Sequence, residues 1–288
     1  MLNINSTVEL NNGVKMPLLG LGVFRSAAGE ETRSAVRCAL ENGYRHIDTA
    51  RIYCNEKSVG RGIKDSGLKR EDIFVTTKLW RADYANPRKG LTDSLARLGL
   101  DYIDLYLLHW PWQGFEKAWL TLEKLQQEGL CRAIGVSNFK EHHFAALKAA
   151  GAGVIPQVNQ TECHPENAEN ELLGFCQQQG TAFEAYSPLG GQNALLVNDP
   201  RILVIAQEHQ VSGAQVLLRW QLQRGVVVIP KSIKPERILS NAQLYHFELS
   251  SADMEAIGEL NQNRRRAFDP DRIDARPRSL EPVIVEEE

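Results

Sequence analysis

The chain lacks the features that mark nucleic-acid-binding, membrane and secreted proteins. Its net charge is only -3 at pH 7, so its charge gives no reason to expect nucleic acid or an anionic membrane as a partner. No apolar run approaches the roughly 20 residues that a membrane-spanning helix needs. The first five residues lack the basic and apolar regions of a signal peptide. The sequence therefore predicts a soluble globular protein without these partners.

Cysteine is scarce, and its spacing suggests neither a redox pair nor a zinc knuckle. The five residues are Cys38, Cys54, Cys131, Cys163 and Cys176. Free thiols in a reducing cytoplasm are the simplest interpretation. The run Cys163–Glu166 contains metal-ligand residue types but no second histidine at a ligand spacing. His142 and His143 are adjacent, so on a helix they are expected to face different directions. We predict no metal.

What the chain does contain is a repeated alternation of short apolar runs and amphipathic segments. A hairpin comes first, because Asn11-Asn12-Gly13 is a turn signal between two short extended segments. Eight strands follow: Leu18–Gly22, Arg45–Asp48, Ile73–Thr77, Ile103–Leu108, Ala133–Val136, Pro156–Asn159, Ala182–Ala185 and Val226–Ile229. Five helices are predicted between them, each closed by a glycine: Gly43, Gly99, Gly129, Gly180 and Gly225.

Eight strands with intervening helices in 288 residues predict a single (β/α)₈ barrel domain. A doubly wound open sheet is the alternative, but it usually carries a glycine-rich phosphate turn after its first strand. The run Gly20–Arg25 lacks the third glycine of that turn. Extra C-terminal helices are predicted after the barrel, of which one short helix is assigned to Pro235–Asn241. The charged tail, about residues 262–288, is expected to be mobile at its end.

Polar residues follow the predicted strands at the point where each strand ends. In a barrel of this type, catalytic groups come from the carboxyl ends of the strands. The positions are Gly22-Val23-Phe24, Asp48, Lys78 with Trp80, His109 with Trp110, Ser137-Asn138, Gln160, Tyr186-Ser187 and Lys231-Ser232. Because they share one predicted face, we expect them to form one site.

Three stretches of the chain resemble the signatures of the aldo-keto reductase superfamily. They are Gly43–Gly60, Arg132–Phe139, and Ile229–Ser232 followed by Arg237 and Asn241. The resemblance runs from the N-terminal hairpin to about Asn261. In detail the chain is most similar to microbial diketogluconate reductases and to prostaglandin F synthase-like enzymes of protozoa.

The resemblance implies hydride transfer from NADPH to a carbonyl carbon, with Tyr53 as the general acid. Lys78 is expected to lower the pKa of the phenol, since a cation stabilises the phenolate. Asp48 is expected to hold Lys78 in place, and His109 to orient the substrate oxygen. Donors fixed in advance matter most at an oxygen that gains negative charge.

The resemblance also implies the cofactor and substrate contacts. Lys231 and Arg237 are expected to bind the 2′-phosphate near the start of the extra helix, and Asn241 the adenine side. Tyr186 is expected to stack on the nicotinamide. The remaining cofactor contacts are Gly22, Val23, Ser137, Asn138, Gln160, Ser187, Leu189 and Ser232. The substrate pocket is expected to be lined by Phe24, Trp80, His109 and Trp110, with Trp112 as a further candidate.

The sequence therefore predicts an NADPH-dependent reductase of small-molecule carbonyls, monomeric as the family implies. A cofactor-binding sensor or regulatory subunit with weak turnover is the alternative, and a metal-dependent hydrolase a third reading. The short loop after the fourth strand, Trp110–Gly114, favours an open site and broad specificity. The sequence does not name the physiological substrate or the role of Arg51.

Overall fold

The computed structural model describes residues 2–275, and it begins with the predicted hairpin. Strands β1 (Thr7–Glu9) and β2 (Lys15–Pro17) pair antiparallel. Gly13 in the connecting turn has a φ of +83°, a conformation that glycine adopts without steric cost. Eight further strands follow: β3 (Leu21–Gly22), β4 (His46–Asp48), β5 (Phe74–Leu79), β6 (Ile103–Leu108), β7 (Cys131–Ser137), β8 (Val158–Glu162), β9 (Ala182–Tyr186) and β10 (Val227–Val228).

These eight strands form a closed parallel barrel, as the sequence predicts. Each strand pairs in parallel with the next one along the chain, from β3 to β10. The ends meet because Gly20 N–H donates to the Val228 carbonyl at 2.9 Å, and Val228 N–H donates to the Leu18 carbonyl at 2.9 Å. β4, β5, β6 and β8 are buried along their whole length, which fits strands covered on both faces.

Helices cover the outside of the barrel. In the described residues they are α1 (Glu30–Glu41), α2 (Glu56–Asp65), α3 (Pro87–Leu98), α4 (Phe115–Gln127), α5 (Glu141–Ala149), α6 (Asn170–Gln178), α7 (Pro200–Glu208), α8 (Gly213–Gln223), α9 (Pro235–Ala242) and α10 (Ser251–Gly258). All five glycines predicted to close helices have φ between +66° and +92°. None of the helices described combines the length and hydropathy needed to cross a bilayer.

The sequence analysis assigns no residue range to four of the observed helices, which are α2, α5, α7 and α10. In α2 the reason is Gly60 and Gly62, which lower helix propensity. The structure shows why they are there. A Cβ on Gly60 would lie 2.0 Å from the carbonyl oxygen of Leu98, and a Cβ on Gly62 would lie 2.7 Å from that of Arg33. α2 therefore packs against its neighbours at a distance that only glycine permits.

We expect Gly60→Ala to lower the free energy of unfolding by about 2–4 kcal/mol, because the added methyl overlaps backbone that cannot yield easily. Urea unfolding followed by circular dichroism measures the loss. Gly174→Ala in α6 is the control, since nothing lies within 4 Å of its Cβ position. That variant is expected to gain about 0.5–1 kcal/mol from helix propensity. Equal effects of the two substitutions would contradict the packing argument.

The part of the tail within the described residues is attached to the barrel. Glu162 at the end of β8 accepts the N–H of Ala267 at 2.6 Å, and Lys140 Nζ lies 2.6 Å from Asp271 Oδ2. Gln113 N–H donates to the Asp274 carboxylate at 3.2 Å. Residues 276–288, on which the prediction of mobility falls, lie outside the described residues.

Candidate active site

The four predicted catalytic side chains meet at the carboxyl edge of the barrel. Asp48 ends β4, Lys78 lies in β5 and His109 directly follows β6. Tyr53 ends a single turn of 3₁₀-helix at Arg51–Tyr53. The carboxyl ends of parallel strands open at one rim, so residues 30 positions apart in sequence become neighbours.

A buried ion pair lies at the centre of the site. Lys78 Nζ donates to Asp48 Oδ1 at 2.7 Å and Oδ2 at 2.8 Å, and to the Thr49 carbonyl at 2.9 Å. Both charged side chains are inaccessible to solvent or nearly so. Burial raises the pKa of Asp48, and the charge of Lys78 opposes that rise. The pair therefore holds the ammonium in one place, as the sequence predicts.

The phenol of Tyr53 lies beside the ammonium, with its oxygen 3.4 Å from Lys78 Nζ. The sequence-based expectation that Lys78 lowers the pKa of this phenol is not met. Burial, with the charges of Asp48 and Glu184, raises the Tyr53 pKa well above its ordinary value. The physical reason is that Asp48 neutralises the ammonium while desolvation disfavours the phenolate. Tyr53 therefore carries its proton at neutral pH.

Aromatic rings form a wall around the phenol. Phe24 lies 5.0 Å from Tyr53 between ring centroids and is 50% exposed. His109 lies 5.9 Å from Tyr53 and 5.3 Å from Trp80, edge to face in both cases. Trp112 joins this wall, 4.5 Å from Trp80.

Burial lowers the pKa of His109 well below its ordinary value. The ring is therefore neutral at physiological pH and presents one N–H donor. Trp110 is buried near Trp112, with 6.4 Å between the ring centroids. The predicted substrate-pocket residues thus lie around the phenol and the imidazole.

A second group of polar residues lies on the neighbouring strand ends. Asn138 follows β7 with a φ of +63°. Its Nδ2 donates to the His109 carbonyl at 3.2 Å and to Ser137 Oγ at 3.1 Å. Tyr186 OH donates to Asn138 Oδ1 at 2.7 Å. These hydrogen bonds tie Asn138 to the residue that carries the imidazole.

Gln160 connects this group to the ion pair. Its Nε2 donates to Asp48 Oδ2 and to Glu184 Oε2, both at 2.8 Å. Burial, reinforced by the charge of Asp48, raises the pKa of Glu184 to about 8. Gln160 Oε1 accepts no hydrogen bond from the residues described. An amide with both N–H groups engaged and a free oxygen is ready to accept from a ligand.

The predicted phosphate contacts lie where the last strand leads into α9. Lys231 and Arg237 are exposed, and neither forms an ion pair within residues 2–275. Ser232 Oγ instead accepts the Lys234 N–H at 3.1 Å. Asn241 is buried but makes no side-chain hydrogen bond to a described residue. The loop after β10 and the helix α9 that follows it therefore present two cations without ion pairs and one amide without a partner among the described residues.

The other predicted cofactor contacts surround this edge. Gly22 lies opposite Asp48 in the ladder and forms a bridge with Lys231. Val23 is fully buried. Ser187 has a φ of +52°, and Leu189 packs against the core.

Comparison with known proteins shows which family the chain is similar to. The family model for the Aldo/keto reductase family matches residues 18–262. Glyoxal reductase of Bacillus subtilis (strain 168) is 49% identical over 274 residues, which cover 94% of this chain and 98% of the relative. The chain belongs to the aldo/keto reductase family.

As a member of this family, it is an NADP(H)-dependent oxidoreductase that acts on carbonyl groups. A 9,11-endoperoxide prostaglandin H2 reductase of Trypanosoma cruzi is 47% identical over 275 residues, covering 94% of this chain and 97% of the relative. The crystal structure of a Bombyx mori aldo-keto reductase in complex with NADP matches with a TM-score of 0.87 and 36% identity. It covers 95% of this chain and 98% of that one.

The residues of this aldo/keto reductase fit the cofactor. Lys231 and Arg237 offer unpaired charge near the first turn of α9, a favourable place for a phosphate. The unpartnered amide of Asn241 suits the adenine end, and the free amide oxygen of Gln160 suits the carboxamide end. A ligand that satisfies buried polar groups left open by the protein removes the cost of leaving them unpaired.

Two residues of the site are missed by sequence reasoning. Glu184 is a charged residue inside the apolar strand β9, which is a signal of a special role that could have been read. Arg265, taken as part of a charged tail, donates to Asn138 Oδ1 at 2.8 Å, and no spacing rule indicates that contact. The charge of Arg51 acts on Asp83. Burial raises the pKa of the Asp83 carboxyl group, and the nearby Arg51 guanidinium opposes that rise.

The expectation that His142 and His143 face different directions is wrong. Their Nε2 atoms lie 3.1 Å and 3.9 Å from Asp271 Oδ1, a grouping of ligand types. However, His143 Nδ1 accepts the Lys140 N–H at 3.0 Å, so the neutral ring carries its proton on Nε2. That nitrogen then has no lone pair for an ion. The absence of a metal stays a prediction.

Proposed function

We propose that this reductase converts aldehydes and ketones to alcohols with NADPH, and that Tyr53 is the general acid. The observation that carries the proposal is the arrangement of four side chains. A protonated phenol lies 3.4 Å from an ammonium that Asp48 holds through both carboxylate oxygens. His109 lies beside it as a neutral donor.

The proton moves from Tyr53 to the substrate oxygen. NADPH supplies the hydride when bound. As the carbonyl oxygen gains negative charge, the phenol O–H and the imidazole N–H donate to it. Lys78, whose position is fixed before substrate arrives, lies 3.4 Å from the oxygen that carries the resulting charge. Because burial raises the pKa of the phenol, Tyr53 is protonated at the start of the reduction.

The aromatic wall supports small, partly apolar carbonyl compounds as substrates. Trp80 packs against His109 and Trp112 packs against Trp80, so one side of the site is buried and apolar, while Phe24 is half exposed to solvent. The loop of residues 109–114 is short, which favours an open site. Because one Bacillus subtilis relative is named glyoxal reductase, dicarbonyl compounds belong in the first set of substrates to be tested. The finer resemblance to diketogluconate and prostaglandin reductases, the cytoplasmic location and the monomeric state stay predictions.

Loss of NADPH absorbance tests the activity. We expect turnover with a panel of small aldehydes, dicarbonyls and keto-sugars. A protein that binds NADPH tightly but oxidises none of it would be the sensor or regulatory subunit instead.

Titration of both cofactors tests the phosphate contacts. We expect NADPH to bind at least about 100-fold more tightly than NADH, since two cations contact the 2′-phosphate. Arg237→Ala should reduce that ratio by about tenfold through loss of charge-assisted hydrogen bonds. Arg88→Ala is the matched control, because its guanidinium pairs with Glu128 far from the loop after β10. Equal affinity of the wild type for NADH and NADPH would contradict the assignment.

A further inference from the structure

Arg265 brings the C-terminal tail into the cofactor site. Its side chain is only 15% exposed. Nη2 donates to Asn138 Oδ1 at 2.8 Å and to Thr161 Oγ1 at 3.2 Å. Asn138 is one of the residues expected to hold the nicotinamide carboxamide. A guanidinium from outside the three family signatures therefore contacts that residue directly.

The guanidinium is held in place from both sides. Glu162 accepts the backbone N–H of Arg266 at 2.8 Å and that of Ala267 at 2.6 Å. Arg265 Nη1 lies 3.3 Å from Glu169 Oε1. The two residues after Arg265 are thus anchored to the end of β8, and a carboxylate compensates the buried charge. The guanidinium has its position before any ligand binds.

The contact fixes the orientation of the Asn138 amide. An arginine only donates, so the atom that faces Nη2 must be the carbonyl oxygen, Oδ1. The Tyr186 hydroxyl donates to the same oxygen. Nδ2 must then face the His109 carbonyl and Ser137 Oγ. All hydrogen-bonding positions of the amide are engaged, and a flipped amide would place N–H against N–H.

The orientation of the Asn138 amide makes Ser137 a hydrogen-bond donor towards the cofactor site, and the bonds of Gln160 to Asp48 and Glu184 make Gln160 an acceptor there. Because Ser137 Oγ accepts from Asn138, its own O–H stays available as a donor. Gln160 Oε1 is available as an acceptor, since both of its N–H groups bond to carboxyl groups. One donor and one acceptor complement the C=O and N–H₂ of a carboxamide.

We propose that Arg265 is a positioning residue for the nicotinamide end of the cofactor, acting through Asn138. It locks the Asn138 amide so that the Ser137 hydroxyl donates opposite the acceptor of Gln160, and it restrains the Tyr186 ring through the shared oxygen. The inference rests on the proposed function, because it concerns the same cofactor. It differs in assigning part of the cofactor site to the C-terminal tail.

Binding of two ligands to Arg265→Met tests the inference. NADPH carries the nicotinamide, whereas adenosine 2′,5′-bisphosphate carries only the adenosine and phosphate part. We expect the variant to bind NADPH about tenfold more weakly and the fragment within about twofold of the wild type. A general structural defect would weaken both. Fluorescence titration measures NADPH, and calorimetry measures the fragment and the number of intact sites.

Arg266→Met is the matched control, because its guanidinium pairs with Glu166 rather than with Asn138. We expect it to bind both ligands as the wild type does. If Arg265→Met does not fold, Arg265→Lys keeps the charge near Glu169 and should show a smaller, NADPH-specific loss. Unchanged NADPH binding, or equal loss for both ligands, would overturn the role of Arg265. A wild type that binds no NADPH would overturn the proposed function itself.

Discussion

Tyr53→Phe is expected to lower the rate of carbonyl reduction by about a thousandfold or more and to leave NADPH affinity within about twofold of the wild type. The substitution removes one oxygen, the only group at this position that can give a proton to the substrate. The ring stays between Phe24 and His109, so the packing of the wall is retained. Stopped-flow measurement of NADPH oxidation under single-turnover conditions separates the chemical step from product release.

Tyr106→Phe is the matched control. Tyr106 also lies in a barrel strand, β6, and is fully buried, but its hydroxyl faces Gly90 of α3 and has no hydrogen-bond partner among the described residues. Its removal should leave turnover within about twofold of the wild type, because no proton passes through it. If Tyr53→Phe kept most of its turnover, Tyr53 would not be the acid.

Lys78→Met is expected to lower the free energy of unfolding by about 3–5 kcal/mol, the usual cost of breaking a buried ion pair by removing one partner. Asp48 then stays buried without its cation, and burial raises its pKa further than in the wild type. When folding raises the pKa of a carboxyl group, the folded protein loses stability as pH rises above the unfolded pKa of that group, about 3.9 for aspartate. The deficit should therefore be larger at pH 8 than at pH 5. Chemical unfolding at the two pH values measures it.

Two further variants test the cause of this loss of unfolding free energy. Asp48→Asn combined with Lys78→Met removes both charges and should recover most of the stability, since no uncompensated charge is left. Lys89→Met removes an exposed cation from a surface pair with Asp93 and should change stability by less than about 0.5 kcal/mol. A pH-independent deficit in Lys78→Met would contradict a role for the Asp48 carboxylate.

The sequence predicts those parts of the molecule that a local pattern encodes. Glycines with positive φ, such as Gly43 and Gly225, mark helix ends because few other residues adopt that conformation. The proposed catalytic residues could be found because Asp48, Lys78 and His109 follow apolar runs and Tyr53 lies in the loop after Asp48. The barrel then brings the strand ends together. The same logic locates Trp80 and Trp110.

What the sequence does not predict depends on distant contacts. The pKa of Tyr53 depends on Asp48 neutralising Lys78, and on Glu184, which is 131 positions away in the chain. α2 is missed because Gly60 opposes helix formation locally and is retained for its contact with Leu98. The approach of Arg265 to Asn138 crosses 127 positions.

The closure of the barrel has a consequence for how the protein is made. Val228 pairs with Leu18 and Gly20, so the ladder that completes the cylinder joins segments that lie 210 positions apart in the chain and are synthesised at different times. Until then the emerging sheet has two open edges, and joining them requires ordering a very long loop. The loop carrying Lys231 lies beside that join, bridged to Gly22. The proposed phosphate-binding end of the cofactor site therefore forms only when the cylinder closes.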